Sequence, residues 1–279
     1  MTAAERWQRL VTGRLEELRR LSPGAGSVSG SFWEGGRAER YAAHVRQAVD
    51  DADPFLRRLR RVCDASSRVI DVGAGTGRFA LALAPEVAHV TAVDPSAPML
   101  AVLRRDAAQL DAENLTVIHA TWEEAEVEPA DVVFSSFVLT LVPDAPAFLD
   151  KLERSARERV LLYLGAYSAD ALIDPLWRHF HDVPRAPGPS YLDALAVLRE
   201  LGADPAVKVV ELPNRRRFAT IDDAVEHYRD WLLLPDSGEV RQELAGLLPA
   251  WLAGRRGAWR SPTRSIPAAI VEWSPRARG

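Results

Sequence analysis

The sequence is poor in cysteine: Cys63 is its only one among 279 residues. A single thiol excludes an intrachain disulfide framework and a zinc site built from cysteines. It is typical of a reducing compartment, so we expect a cytoplasmic location. Charged residues, Glu5 and Arg6, stand near the start with no apolar stretch behind them. We therefore expect no secretory signal.

Long apolar runs and an excess of basic residues are also missing. No stretch approaches about 18 uncharged apolar residues, so no membrane-spanning helix is expected. Lys and Arg number 35 against 39 Asp and Glu, and the net charge of -4 argues against a nucleic-acid partner. The length is sufficient for one large α/β domain. Nothing in the composition indicates an oligomeric state.

What is present is an alternation of strand-like and helix-like segments. The apolar runs predict strands at residues 68–72, 89–94, 115–119, 131–136, 160–164, 207–212 and 268–273. Helical spacing and start signals predict helices at 3–21, 37–49, 78–84, 98–110, 145–157 and 190–201, with others opening at Pro54 and Thr220. Short buried strands that alternate with helices predict a Rossmann-like three-layer α/β/α sandwich with a mainly parallel sheet.

The turn after the first predicted strand is rich in glycine. Residues 71–77 are Asp-Val-Gly-Ala-Gly-Thr-Gly, and such a turn brings backbone N–H groups beside a ligand. Gly73, Gly75 and Gly77 follow a G-x-G-x-G spacing, and Arg78 stands where a dinucleotide-binding loop has its third glycine. The spacing argues against a nicotinamide or flavin dinucleotide. Glycines that only permit tight packing are the other interpretation.

Two acids flank this turn. Asp71 stands two residues before Gly73, and Asp94 ends the second predicted strand, 19 residues after Gly75. A buried acid would repel a pyrophosphate, whereas it favours a ligand with an ammonium group. An acid at the end of the second strand accepts hydrogen bonds from ribose hydroxyls. Together these features indicate a nucleoside with a zwitterionic amino-acid tail, which is S-adenosylmethionine (SAM).

These motifs resemble those of the class I SAM-dependent methyltransferases. The run at 69–77 resembles their first motif, and Ala-Val-Asp-Pro-Ser at 92–96 resembles their ribose-binding motif. Pro-Met-Leu at 98–100 continues as in the small-molecule branch called types 11 and 12. The resemblance covers about residues 66–165. It implies a seven-stranded sheet with one antiparallel strand in its last hairpin, and S-adenosylhomocysteine (SAH) as the product.

The resemblance also implies the cofactor contacts. Met99 would pack on the adenine, beside Pro95 of the ribose motif, and residues 121–123 would flank the adenine from the other side. An aromatic N-terminal segment would fold over SAM, with ordinary interhelical packing as the alternative. The cofactor-binding set is therefore Asp71, Gly73, Gly75, Gly77, Asp94, Pro95, Met99, Thr121, Trp122, Glu123, Ser136, Trp33 and Tyr41.

Candidates for the acceptor side are less specific. The predicted substrate contacts are Phe137, Tyr163 and Trp177, with core packing as the alternative for the last two. His179 and His181 are the candidates for a catalytic base. The alternative is a surface histidine beside a solvated Asp182, without a role in catalysis. Basic clusters at 215–217 and at 255, 256 and 260 fit a solvated surface better than a phosphate site.

The sequence thus predicts three regions and one main function. Residues 1–65 would form an N-terminal helical cap and 66–165 the SAM-binding core. Residues 166–279 would supply acceptor-pocket helices and the sheet-completing strands, continuous with the core. The expected activity is methyl transfer from SAM to a small molecule by in-line displacement, without a metal. The alternatives are an RNA or protein methyltransferase and a SAM-binding regulatory protein without catalysis.

Overall fold

The computed structural model describes residues 1–21, 33–34, 36–48, 52–166, 172–254 and 259–276. The described residues contain a seven-stranded sheet in the order β3-β2-β1-β4-β5-β9-β6. Its strands are β1 (Arg68–Val72), β2 (His89–Asp94), β3 (Leu115–His119), β4 (Ala130–Ser136), β5 (Ala156–Gly165), β6 (Ala206–Pro213) and β9 (Ser265–Trp273). A separate small ribbon pairs β7 (Arg217–Phe218) with β8 (Trp259–Arg260). Strand β9 runs antiparallel to both neighbours, and the predicted fold class is confirmed.

Helices cover both faces of the sheet. They are α1 (Ala3–Leu21), α2 (Arg37–Ala48), α3 (Pro54–Val62), α4 (Ala80–Leu83), α5 (Ala97–Gln109), α6 (Ala145–Ser155), α7 (Asp174–His181), α8 (Tyr191–Glu200), α9 (Ile221–Trp231) and α10 (Gly238–Trp251). Because side chains alternate along a strand, Ile70 packs in one core with α1, α6 and α8, while Val69 packs in the other with α3, α4 and α5. Helices α7, α9 and α10 share a third core.

Local start signals explain most helix boundaries. Asp53 caps α3 by accepting hydrogen bonds from the N–H groups of Phe55 and Leu56, at 2.8 and 3.1 Å. The predicted capping boxes at Ser190 and Thr220 are both present. Caps of this kind satisfy backbone donors that the first helical turn leaves unpaired.

Several predicted elements differ in length from the structure, and three of them have a local explanation. The helix predicted at 78–84 is reduced to α4 and a 3-10 turn at Ala84–Glu86, because Pro85 lacks the N–H that would continue the helical ladder. The strand predicted at 160–164 begins earlier, at Ala156, directly after α6. Because β5 begins at Ala156, helix α6 ends at Ser155 and is shorter than the helix predicted at 145–157.

Parts of the N-terminal region pack as core. Helix α3 contributes Phe55 and Leu59 to the sheet core, and α1 buries Trp7 between α6 and α8. The Trp7 indole N–H donates to the carbonyl of Val142 at 2.8 Å. Residue 49, at the end of the second predicted helix, and the basic residues 255 and 256 lie outside the described residues. Within the described ranges, no helix combines the length and apolar character needed to cross a membrane.

Candidate functional site

A cavity of about 380 Å³ lies at the carboxyl ends of β1, β2, β3 and β4. This edge of a parallel sheet is where ligands bind in open α/β folds, and the volume is in the range of small-molecule sites. The cavity brings together twelve of the predicted site residues. They are Trp33, Tyr41, Gly73, Gly75, Asp94, Pro95, Met99, Thr121, Trp122, Glu123, Ser136 and Phe137.

The three glycines of the loop do different things. A Cβ on Gly75 would meet no atom within 4 Å, so this residue leaves open space on the cavity side of the loop. A Cβ on Gly73 would collide with Val138. At Gly77, where φ is +86°, a Cβ would lie 2.9 Å from the side chain of Leu81. Gly77 does not line the cavity. Gly77 is therefore packed against Leu81 of α4, and its contact with the cofactor stays a prediction.

Asp94 is held in place by the loop that it faces. Its carboxylate accepts hydrogen bonds from the N–H groups of Gly75 and Ser96, each at 2.8 Å. Burial raises the pKa of Asp94, and these two hydrogen bonds oppose the rise. Each carboxylate oxygen retains acceptor capacity beyond one hydrogen bond. Asp94 lines the cavity and is suited to accept hydrogen bonds from a ribose there.

Asp71, the other acid that flanks the loop, is buried. It is 1% exposed and is not among the residues that line the cavity. Its Oδ1 has no hydrogen-bond partner among the described residues. Burial raises the pKa of the Asp71 carboxyl to about 8, Asp94 adds to the rise and the N–H of Ala80 opposes it. Asp71 is therefore buried next to the lining residues Val72 and Gly73, and its contact with a ligand ammonium stays a prediction.

The residues predicted to hold the adenine all line the cavity. Pro95 and Met99 come from the start of α5, where the Ser96 hydroxyl caps the helix at the N–H of Met99. Thr121, Trp122 and Glu123 follow β3. The Trp122 indole is anchored by its N–H to the Phe148 carbonyl at 3.4 Å, and the Lys151 ammonium lies 4.9 Å from its ring. These contacts fix one apolar wall with a carboxylate at its rim.

Residues of the N-terminal region also line the cavity, and Trp33 packs against the cluster that contains Met99 of α5. Trp33 and Tyr41 meet edge to face, with ring centroids 5.2 Å apart. Helix α1 adds Leu15, Leu18 and Arg19, which the sequence did not single out. Their contribution depends on the packing of α1 against α6 and α8, contacts that join residues far apart in the sequence.

Phe137 lines the cavity with a strained backbone. Its φ of +57° is in the left-handed region, which costs a residue with a side chain about 1–3 kcal/mol. The N–H of Phe137 donates to the carbonyl of Tyr163 at 2.8 Å and stabilises the turn after β4. Strain of this kind persists where the surrounding structure enforces it, and it is concentrated at functional sites.

Besides Asp71 and Gly77, four predicted residues do not line the cavity, and two of them are the aromatic residues Tyr163 and Trp177. Tyr163 is fully buried and stacks on Phe55 with ring centroids 4.7 Å apart. Trp177 is fully buried in the third core, where its ring lies 4.1 Å from that of His181. Neither lines the cavity, and both pack in hydrophobic cores, which is the alternative that the sequence left open.

The two histidines have partners of their own. His181 Nε2 donates to the Leu232 carbonyl at 2.8 Å, and His179 Nε2 lies 2.7 Å from a Glu243 carboxylate oxygen on the surface. Neither lines the cavity, so the structure does not support the base role predicted for them. Among the described residues that do line it, the ionisable side chains are Asp94, Glu123, Tyr41, Arg19 and Arg78.

The cavity fits SAM on observations from the chain itself. The open space at Gly75 admits close approach to the backbone, and Asp94 presents a fixed carboxylate. Apolar walls at Met99 and Trp122 suit a flat base. Within the part of the chain that the structure describes, no group of His, Cys, Asp and Glu residues is arranged to hold a metal ion.

Comparisons with known proteins agree with this geometry. Residues 69–159 match the family model of a methyltransferase domain. A Haemophilus influenzae protein of uncharacterized function is 38% identical over 96 residues, which span 34% of this chain and 35% of that protein. The match thus covers about a third of the length of that curated relative.

Solved structures share the fold over most of the chain. The YcgJ protein of Bacillus subtilis has a TM-score of 0.56 and 18% identity, covering 80% of this chain and 98% of that one. Magnesium protoporphyrin IX methyltransferase from Synechocystis PCC 6803, solved with bound SAH, has a TM-score of 0.53 and 14% identity, covering 88% and 96%. At these identities the likeness establishes the shared architecture.

Proposed function

We propose, from the premise that residues 69–159 form the SAM-dependent methyltransferase domain of class I, that the whole chain methylates a small-molecule acceptor. One observation carries the choice of acceptor: side chains of the N-terminal region line the cavity in which SAM and the acceptor would meet, and we take them as its cover. A covered chamber selects ligands by size. The single cysteine supports a reducing, cytoplasmic location as part of the same proposal.

The cover is built from side chains of α1, of α2 and of the segment between them. Leu15 and Leu18 reach the cavity from α1, Tyr41 from α2, and Trp33 from the residues that precede α2. Two of these side chains are aliphatic and two aromatic, which is the composition of a small-molecule pocket. An RNA or protein segment needs an open face beside the cofactor. The Synechocystis enzyme is named for a small molecule, magnesium protoporphyrin IX, which is consistent with this proposal.

The chain's own contribution to the reaction is binding, alignment and exclusion of water. SAM, when bound, supplies a methyl group activated by its sulfonium. Asp94 would hold the ribose, and Met99 and Trp122 would hold the adenine. Phe137 and Ser136 lie at the end of β4, beside the glycine loop, and would line the path of the acceptor. Alignment in a dry site supplies much of the barrier reduction for a displacement of this kind.

The two alternatives make different predictions. A methyltransferase for RNA or protein would use a basic surface, and Arg215 and Arg217, which fit that requirement, do not line the cavity. A SAM-binding regulatory protein would use the same cofactor contacts without turnover. Neither alternative requires the apolar cover that α1 and α2 provide.

Transfer of a labelled methyl group separates the three functions. The purified chain is incubated with methyl-labelled SAM and with the small-molecule, protein and RNA fractions of a cell extract. We expect label in the small-molecule fraction, and none there with the Gly75→Val variant, whose side chain would fill the open space at the loop. Label in RNA or protein would support the first alternative. SAH binding without label in any fraction would support the second.

A further inference from the structure

We propose that the acceptor reacts as an oxygen anion, a carboxylate or the anion of an acidic phenol or enol, and that Arg78 binds this oxygen. The inference rests on the proposed function and deepens it. It concerns a cation that lines the cavity directly after the glycine loop.

Arg78 is fixed by a buried acid. Its Nη2 donates to Asp53 Oδ2 at 2.8 Å, and the Asp53 side chain is fully buried. The other carboxylate oxygen of Asp53 is occupied by the cap of α3. Asp53 therefore orients the guanidinium from one side, while Arg78 lines the cavity on another. A guanidinium remains charged throughout the accessible pH range.

Most of the hydrogen-bonding capacity of Arg78 is unused. A guanidinium has five N–H donors, and among the described residues only Asp53 accepts from that of Arg78. The Nε atom is buried without a partner in the described chain, and the side chain is 12% exposed. Buried polar groups without partners are uncommon in native proteins and indicate a missing ligand or water.

The surroundings of Arg78 strengthen an interaction with an anion. The guanidinium carbon lies 4.8 Å from the centre of the Phe79 ring and 6.0 Å from that of Phe137. The Tyr163 hydroxyl is buried nearby without a partner among the described residues. Apolar surroundings exclude water, and hydrogen bonds between charged groups are stronger where water is excluded. A planar acceptor beside Phe137 would place its oxygen within reach of the Arg78 guanidinium.

Two acids and two arginines line the cavity among the described residues. Asp94 and Glu123 stand at the end predicted for adenosine, whereas Arg19 and Arg78 are the cations of the lining within the described chain. Burial raises the pKa of the Tyr41 hydroxyl; the guanidinium groups of Arg78 and Arg216 oppose that rise, and Asp94 and Asp71 add to it. Arg78 therefore brings a positive charge to the part of the lining that includes Tyr41.

The side chains that line the cavity also favour an anionic acceptor over a neutral one. No histidine lines it among the described residues, so a neutral acceptor would lack that common base. With an anion, an oxygen lone pair forms the bond to the methyl carbon as the carbon–sulfur bond breaks. The electron pair of the broken bond stays on sulfur, and no proton is transferred. Arg78 would bind and orient the oxygen.

The test measures binding of a charged and a neutral probe to the SAH-loaded protein. Benzoate and benzamide have the same shape and differ in charge. By calorimetry we expect benzoate to bind roughly tenfold or more tightly than benzamide. Arg78→Met should abolish this preference, Arg78→Lys should keep part of it, and the surface variant Arg60→Met should keep all of it.

The outcomes separate this inference from the proposed function. Absence of SAH binding to the wild-type protein contradicts the proposed function. If SAH binds but benzoate does not, or if both probes bind equally, the inference alone is overturned. Loss of SAH affinity in Arg78→Met also overturns it, because Arg78 would then be assigned to the SAM carboxylate. If Arg78→Met fails to fold, the comparison of the two probes on the wild-type protein and Arg78→Lys decides.

Discussion

Two glycines of the loop, Gly75 and Gly77, should respond in opposite ways to the same substitution. At Gly75, where φ is +55°, the Cβ of an alanine would have no neighbouring atom within 4 Å. Gly75→Ala should therefore lower the free energy of unfolding only by the strain of the left-handed backbone, about 1–2 kcal/mol. Its methyl group would occupy space on the ligand side of the loop. We therefore expect SAH affinity to fall by about tenfold or more, which is about 1.4 kcal/mol.

Gly77→Ala provides the matched control. At φ +86° it carries the same strain, and its Cβ would meet Leu81 at 2.9 Å and Leu103 at 3.1 Å. Overpacking adds about 1–3 kcal/mol, so we expect a total destabilisation of about 2–5 kcal/mol with SAH affinity retained. Denaturant unfolding without ligand and calorimetric titration with SAH measure the two effects. A Gly75→Ala variant with normal affinity, or a Gly77→Ala variant of normal stability, would refute the division of roles.

Three further predictions concern the acids and the histidines. Asp94→Ala should weaken SAH binding by roughly 1.5–3 kcal/mol through loss of a charged acceptor, and unchanged affinity in calorimetry would remove the ribose role. Because burial raises the pKa of Asp71 from 3.8 to about 8, the folded protein holds a proton that the unfolded chain releases, so the free energy of unfolding falls as pH rises across that interval. Asp71→Asn should flatten this part of the denaturant-unfolding profile, and an unchanged slope would contradict the cause given. His179→Ala and His181→Ala should keep SAM-dependent turnover at every pH, since neither side chain lines the cavity; loss of one limb of the pH profile would restore a base role.

The sequence was most informative where structure is local. The strands β2 and β3 have the predicted bounds, because apolar runs of that length between turns have one favourable solution. The glycine spacing predicted a binding role for Gly75, and the position of Asp94 at the end of β2 predicted one for that residue. Both residues line the cavity. Capping at Ser190 and Thr220 was also visible, because each cap needs residues only three positions apart.

What the sequence did not show depends on contacts between distant residues. His181 stands beside Asp182, yet its partner is the carbonyl of Leu232, 51 residues away. Arg78 was noticed only as the residue that replaces a glycine, whereas its ion pair with Asp53 spans 25 residues. No periodicity indicates pairings of this kind, because the tertiary fold brings the partners together.

The backbone after β4 shows the same limit. Phe137 was predicted to line the cavity, but its left-handed φ of +57° is unexpected for an aromatic residue. The conformation depends on the hydrogen bond from its N–H to Tyr163 in the neighbouring strand β5. Helix α10 was not predicted, since Pro249 lies inside it and its apolar spacing is weak.

The most direct test of the account is a crystal structure of the chain with SAH. We expect the ribose hydroxyls at Asp94, the adenine between Met99 and Trp122, and the SAH sulfur facing the part of the cavity that Phe137 and Arg78 line. SAH bound elsewhere, or bound in this cavity without contact to Asp94, would contradict the assignment of the cofactor site on which every later step depends.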